Sequence, residues 1–197
     1  MPFLMIRNDI TKVAADAIVN PANRNLLQGS GTSRAIYQAA GEQEMTAACE
    51  AIGRCDLGRA VCTLAFGLSA KYVFHAVCPA WHGGGFGEAE QLAGAYHSAL
   101  ELAAEYHCES VAFPLLSSGN YGYPKEQAFR DAVKEAARFG ISSDRAVRFE
   151  NDAQGVAVNY HVVSETVSRM REAPCCASIG AEWKEQIEAD FQKRHHR

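Results

Sequence analysis

A chain of 197 residues, 48% of them hydrophobic, is long enough for one domain with a well-buried core and a short appendage. Its formal charge of −4 argues against a nucleic-acid partner, and no run is long and apolar enough to cross a bilayer, so no membrane partner is expected. The start, MPFLMIRNDITK, lacks the charged head, apolar middle and cleavage site of a secretory leader, so a cytoplasmic location is expected.

In chain order, residues 3–6 form a short apolar run that reads as a first strand, closed by Arg7-Asn8-Asp9. Residues 16–20 read as a second, buried strand. A polar loop follows, Gln28-Gly29-Ser30-Gly31-Thr32-Ser33, and then a helical apolar pattern over residues 32–40. Strand, glycine loop and helix start together can make an anion site. Glycine lets the backbone approach closely, and the free N–H groups of a first helical turn point at the anion.

A second helix is expected over 42–52, with Met45, Ala48, Cys49 and Ile52 on one face. Runs 60–66 and 71–77 read as two strands, adjacent in the sheet, and Cys78-Pro79 ends the second. Trp81-His82-Gly83-Gly84-Gly85-Phe86-Gly87 is a loop, and 88–106 has helical spacing. Residues 110–116 form another buried strand, opening into Ser117-Ser118-Gly119-Asn120-Tyr121-Gly122-Tyr123-Pro124. Pro124 suits a first helical turn, and that helix runs to about residue 139. Strands alternating with long helices indicate an α/β layered domain.

Near the C-terminus two stretches, 145–149 and 155–163, are both strand-like. Either serves as the last core strand, or the two pair as a hairpin. Trp183, Ile187 and Phe191 lie four apart, as in a helix docking one stripe. The seven cysteines are odd in number and lack CxxC spacing, which favours buried reduced thiols over disulfides or zinc. His75, inside an apolar strand, reads as a satisfied core histidine rather than a base. No His, Cys or carboxylate cluster points to a metal.

Five motifs stand in order: Asn8-Asp9-Ile10-Thr11; Asp16-Ala17-Ile18-Val19-Asn20-Pro21-Ala22-Asn23; Gly29-Ser30-Gly31 with Ala39-Ala40-Gly41; His75-Ala76-Val77-Cys78-Pro79-Ala80-Trp81; and Pro114-Leu115-Leu116-Ser117-Ser118-Gly119-Asn120-Tyr121-Gly122-Tyr123-Pro124. Together they resemble the macro domain family, in its stand-alone branch of mono-ADP-ribosyl hydrolases and O-acetyl-ADP-ribose deacetylases. The similarity runs from about residue 2 to residue 139.

The resemblance implies a three-layer α/β/α sandwich around a mixed sheet. It implies a macro domain over residues 1–165 and a helical extension over 166–197. Its ligand is ADP-ribose or ADP-ribosylated protein, and it requires no cofactor. By the same resemblance Asp9, beside Ile10, accepts from the adenine amino group. Asn20 and Asn23 match paired asparagines, of which Asn23 bonds the distal ribose. Gly29, Ser30, Gly31, Thr32 and Ser33 match one diphosphate loop, and Ser117, Ser118, Gly119, Asn120 and Tyr121 the other.

Hydrolytic members carry GGGVDG in the first loop. Here the catalytic aspartate falls on Ser33 and a glycine on Arg34. A serine hydroxyl cannot act unaided as a general base near neutrality. Catalysis by Asn23 and Ser33, with a substrate phosphate oxygen taking the proton, and a non-catalytic ADP-ribose reader therefore both stand open at this point.

Overall fold

The computed structural model describes residues 3–6, 8–140, 146–150 and 159–160. The expected C-terminal helix and the extension over 166–197 lie outside them. The strands are β1 (Phe3–Ile6), β2 (Ala17–Ala22), β3 (Ala60–Leu64), β4 (Tyr72–Val77), β5 (Ser110–Pro114), β6 (Ala146–Glu150) and β7 (Asn159–Tyr160). The helices are α1 (Thr32–Ala40), α2 (Glu42–Ile52), α3 (Glu88–Glu105) and α4 (Lys125–Gly140), with a one-turn 3₁₀ helix at Ile10–Lys12.

The strands form one sheet in the order β1-β6-β7-β5-β2-β4-β3. Strands β1, β6, β5, β2 and β4 run parallel, so the loops that follow them emerge at the same edge. β3 is antiparallel to β4, confirming that these two runs are neighbours. Of the two C-terminal candidates, β6 is the strand that sits between β1 and β5. β7 adds a two-residue antiparallel piece against the ends of β5 and β6.

Alternation along the strands sorts the core into two layers. Ala17, Val19, Phe74, Ala76, Val111 and Phe113 pack under α3 and α4. Ile18, Ala22, Val73, Val77 and Ala112 pack under α1 and α2 on the opposite face. This is the three-layer α/β/α sandwich expected from the sequence.

One departure from expectation shapes the site. β2 runs on through Pro21 to Ala22, although proline cannot donate to a ladder. The register explains it. β2 pairs with β5 only at Ala17↔Val111 and Ile18↔Ala112, whereas its pairing with β4 continues to Ala22↔Val77. Beyond Ile18 the β5 side has parted, and Pro21 behaves as an edge residue. The parting strands then connect to opposite faces, β2 to α1 and β5 to α4. Such a divergence between adjacent parallel strands opens a crevice at their carboxyl ends.

Candidate functional site

Two loops wall this crevice, residues 23–31 from β2 and residues 115–124 from β5. A third loop, residues 78–87 from β4, forms a rim. The 3₁₀ helix after β1 lies at the same edge and packs against β5 and α1.

The first wall is made of polar side chains bonded to their own loop. Asn23 Nδ2 donates to the Leu27 carbonyl (2.6 Å), and its Oδ1 accepts from the N–H groups of Asn25 and Leu27 (3.1 and 3.2 Å). Leu26 has a left-handed backbone (φ 55°), and the buried Tyr37 hydroxyl donates to its carbonyl (2.6 Å). Leu27 is largely exposed at the lip. Gly31 caps α1 with φ 58° and ψ −126°, a conformation that suits glycine. No side chain caps this helix. Ala35 N–H makes the first bond back, to Gly31 O, so the N–H groups of residues 32–34 have no protein acceptor among the described residues. Buried Ser33 turns its Oγ to accept from Gly29 N–H at 3.1 Å, and Arg34 is exposed.

Asn20 lies beneath this wall rather than on it, only 1% exposed. Its Nδ2 is 3.0 Å from His75 Nδ1, and His75 Nε2 is 2.9 Å from Thr63 Oγ1. With Asn20 donating, His75 carries its proton on Nε2 and donates to Thr63, which in turn donates to Met45 Sδ. Burial holds the His75 pKa down at about 4, so the ring is neutral. His75 is thus the core histidine that its apolar strand suggested. Asn20 Oδ1 is buried without a partner among the described residues.

The second wall rests on aromatic rings. The buried Tyr96 hydroxyl accepts from Leu116 N–H (3.0 Å), which ends β5 two residues before the expected boundary. Ser117 takes a left-handed backbone (φ 63°). Its carbonyl accepts from Tyr123 N–H (3.0 Å), and Gly119 O accepts from Gly122 N–H (2.9 Å). Ser118 Oγ donates to Leu115 O (2.8 Å). The N–H groups of residues 119–121 have no acceptor among the described residues. Tyr121 is half-buried against the core, and burial raises its phenol.

Trp81 joins rim to wall. Its N–H donates to Tyr121 O (2.7 Å), and its ring meets Tyr123 edge-on at 4.6 Å. The rim itself is gathered by Glu88, the first residue of α3. Its buried carboxylate accepts from the N–H groups of His82, Gly84 and Phe86 at 3.0, 3.2 and 2.7 Å. Burial pushes this carboxyl up, but those N–H donors outweigh it and hold the group near 2. The rim thereby presents Phe86, a residue 72% exposed. Cys78 is buried against the second wall, its thiol donating to Ala76 O at 3.0 Å and lying beside Ser117, and burial raises it to about 12.

Asp9 begins the 3₁₀ helix, with Ile10 buried behind it. Its Oδ1 accepts from Thr11 N–H (3.0 Å) and Thr11 Oγ1 (2.7 Å), and Oδ2 is 3.6 Å from Lys12 Nζ. Burial raises the carboxyl, yet the Thr11 bonds and Lys12 outweigh it, so the group lies below its usual value and is charged at neutrality. Oδ2 keeps lone pairs for an incoming N–H donor.

The structure therefore brings Asp9, Asn23, residues 29–33 and residues 117–121 to one edge. Asn20 and Ile10 lie beneath it. Sequence reasoning missed the structural parts played by Glu88 and Tyr37. The one local signal was an acid directly after a glycine-rich loop at a helix start.

A macro domain family model matches residues 19–132 of the chain. A macro domain-containing protein of Chlorobaculum tepidum is 49% identical over 128 residues, 65% of this chain and 74% of that one. A Klebsiella pneumoniae protein named O-acetyl-ADP-ribose deacetylase is 47% identical over 139 residues, 68% of this chain and 79% of that one. Among solved structures, a Trypanosoma brucei macrodomain in complex with ADP-ribose superposes with a TM-score of 0.68 at 31% identity, covering 76% of this chain and 62% of that one.

Proposed function

Because the chain belongs to the macro domain family, we propose that its crevice binds ADP-ribose, free or attached to protein, and that hydrolysis is a slower, secondary activity. The observation that carries this reading is that both loops leaving the parted ends of β2 and β5 carry backbone N–H groups without an acceptor among the described residues, those of residues 32–34 and of residues 119–121. A diphosphate offers anionic oxygens to both sets at once. Asp9 receives the adenine amino group, and Asn23 and Tyr121 flank the distal ribose.

Hydrolysis has weaker support. Neither wall contains an aspartate or glutamate, and the Ser33 Oγ is engaged with Gly29 N–H. In its favour stands the relative named O-acetyl-ADP-ribose deacetylase.

Titration calorimetry with ADP-ribose tests the binding. A saturable heat is expected, weakened roughly ten- to hundredfold in Asp9→Ala, as for loss of one hydrogen bond to a charged group. No heat at millimolar ligand overturns the proposal.

A further inference from the structure

Glu88 belongs to neither wall, yet both of its carboxylate oxygens are used on the rim. Oε1 accepts from His82 and Gly84 N–H at 3.0 and 3.2 Å, and Oε2 from Phe86 N–H at 2.7 Å. Gln91 Nε2 adds a bond to Phe86 O at 3.2 Å. Packing gives this segment little further support. Gly83 and Gly84 stand at φ 105° and 84°, and a Cβ on Gly83 or Gly85 would meet nothing within 4 Å. Three N–H bonds to a charged acceptor are of the strong kind. They fix a stretch whose glycines would otherwise leave it many conformations.

The shape they fix reaches the crevice through Trp81. The Gly84 backbone lies on the Trp81 ring, where a Cβ would come within 2.8 Å of Cη2. The same ring meets Tyr123, and the Trp81 N–H donates to Tyr121 O. Trp81 is thus set by the rim at its ring and sets Tyr121 through its backbone. Asp9, after β1, has its own partners in Thr11 and Lys12 and shares none of these contacts.

We propose that Glu88 is a positioning residue for the distal-ribose end of the crevice: it shapes the rim, the rim seats Trp81, and Trp81 places Tyr121. This rests on the ADP-ribose reading above, in which Tyr121 flanks that ribose, and it says where the preference for a ligand carrying the distal ribose is set. Glu88 acts through these residues and not on the ligand itself. The task needs a carboxylate and not just a side chain of that size. A glutamine has one acceptor oxygen and turns an NH2 donor toward N–H groups that are donors too, so the grip fails at nearly constant volume.

Titration calorimetry compares ADP-ribose with ADP, which lacks the distal ribose, on wild type, Glu88→Gln, Tyr121→Ala and the double variant. Glu88→Gln is expected to weaken ADP-ribose binding roughly three- to tenfold, the factor that one hydrogen bond controls, and ADP binding by less than about twofold. In the Tyr121→Ala background the same change is expected to cost nothing further, since both act on one contact. Equal weakening of both ligands overturns the proposal and makes Glu88 a general support of the fold. So do unchanged affinities, effects that add in the double variant, or a wild type that holds ADP as tightly as ADP-ribose. Gly84→Ala keeps Glu88 and displaces the Trp81 ring, so it should show the same split between the two ligands. It decides the matter if Glu88→Gln does not fold, and no split there overturns the proposal. All these outcomes leave ADP-ribose binding standing. Wild type that takes up neither ligand brings down the binding reading and the role of Glu88 with it.

Discussion

The two walls of the crevice offer the same thing, unpaired backbone N–H groups, and reach it by different constructions. The first is founded on buried polar groups. Tyr37 holds the Leu26 carbonyl, Asn20 bonds His75, and His75 bonds Thr63. The second is founded mainly on packed rings, Trp81 against Tyr123 and Tyr96 against Phe113, with the Tyr96 hydroxyl taking the Leu116 N–H. A polar foundation fixes direction, because each bond has one geometry, but it answers to protonation and to loss of a single hydroxyl. An aromatic foundation answers mainly to lost volume. The walls should therefore fail independently and under different perturbations.

The largest expected effect tests which wall holds the chemistry. Ser33→Asp places a carboxylate where Gly29 N–H already donates, so it arrives with a bond that favours its charged, basic form. Turnover of mono-ADP-ribosylated protein should rise by on the order of a hundred- to ten-thousandfold, the usual worth of a general base. If wild type is already brisk and the variant adds nothing, while Asn23→Ala is inert, the first wall works without a carboxylate.

Next in size is Trp81→Ala, which strips the second wall of its edge contact with Tyr123 and removes the ring against which the rim packs. A Cβ at Gly84 would come within 2.8 Å of that ring. The expected loss is about 3 kcal/mol of unfolding free energy by urea denaturation, the lower end for a large aromatic because Trp81 is only half-buried. A loss under about 1 kcal/mol would mean that the second wall does not depend on its rings.

How much of this could be read from the residues alone differs between the walls as well. Apolar runs placed β2, β4 and β5, helical spacing placed α1 to α4, and glycines marked both loops. Each is a local signal. Ser33, in the stretch that matches the family's loop, could be singled out for the same reason. Pro21 inside β2 was not foreseeable, because it depends on where β5 leaves. Nor was the slot taken by β6, since nothing within residues 146–150 names its neighbours. The role of Glu88 as acceptor for three rim N–H groups is a tertiary fact. Asn20 looked equivalent to Asn23 in the motif. Strand alternation turns the first into the core under α1 and α2, whereas the second falls beyond the strand in a loop.

A smaller effect separates the foundations by pH. In the fold burial brings the His75 titration down to about 4, whereas the unfolded chain titrates near 6.5. Its folded value is depressed, so the unfolded chain binds the extra proton first. Stability is full above about pH 6.5 and falls as pH drops toward 4. Between pH 7 and 5 the loss should be about 2 kcal/mol in urea unfolding. Asp9 and Glu88 are also held below their usual values, but they release their contribution only at lower pH, as they protonate. A His75→Gln chain should be less stable at pH 7 yet flat across this window. A wild type that is itself flat would remove His75 from the account of the first wall.

The smallest effect is the sharpest test of independence. Tyr37→Phe deletes the hydroxyl that donates to Leu26 O and also leaves the Cys49 thiol, 3.1 Å away, without that oxygen. Leu26 sits at φ 55°, where a leucine backbone is strained, so the bond holds in place a turn the chain would otherwise relax. The global cost should be only about 1 kcal/mol. The cost should be concentrated locally, because Asn23 is positioned by bonds to Asn25 and Leu27 in the same turn. Hydrogen exchange should thus quicken at the Leu27 amide, which is bonded to Asn23 Oδ1, and not at the Tyr123 amide, which is bonded to Ser117 O. ADP-ribose should bind more weakly by a few-fold through the ribose end. If both amides quicken alike, the turn is not a separate unit, and the two walls share one foundation after all.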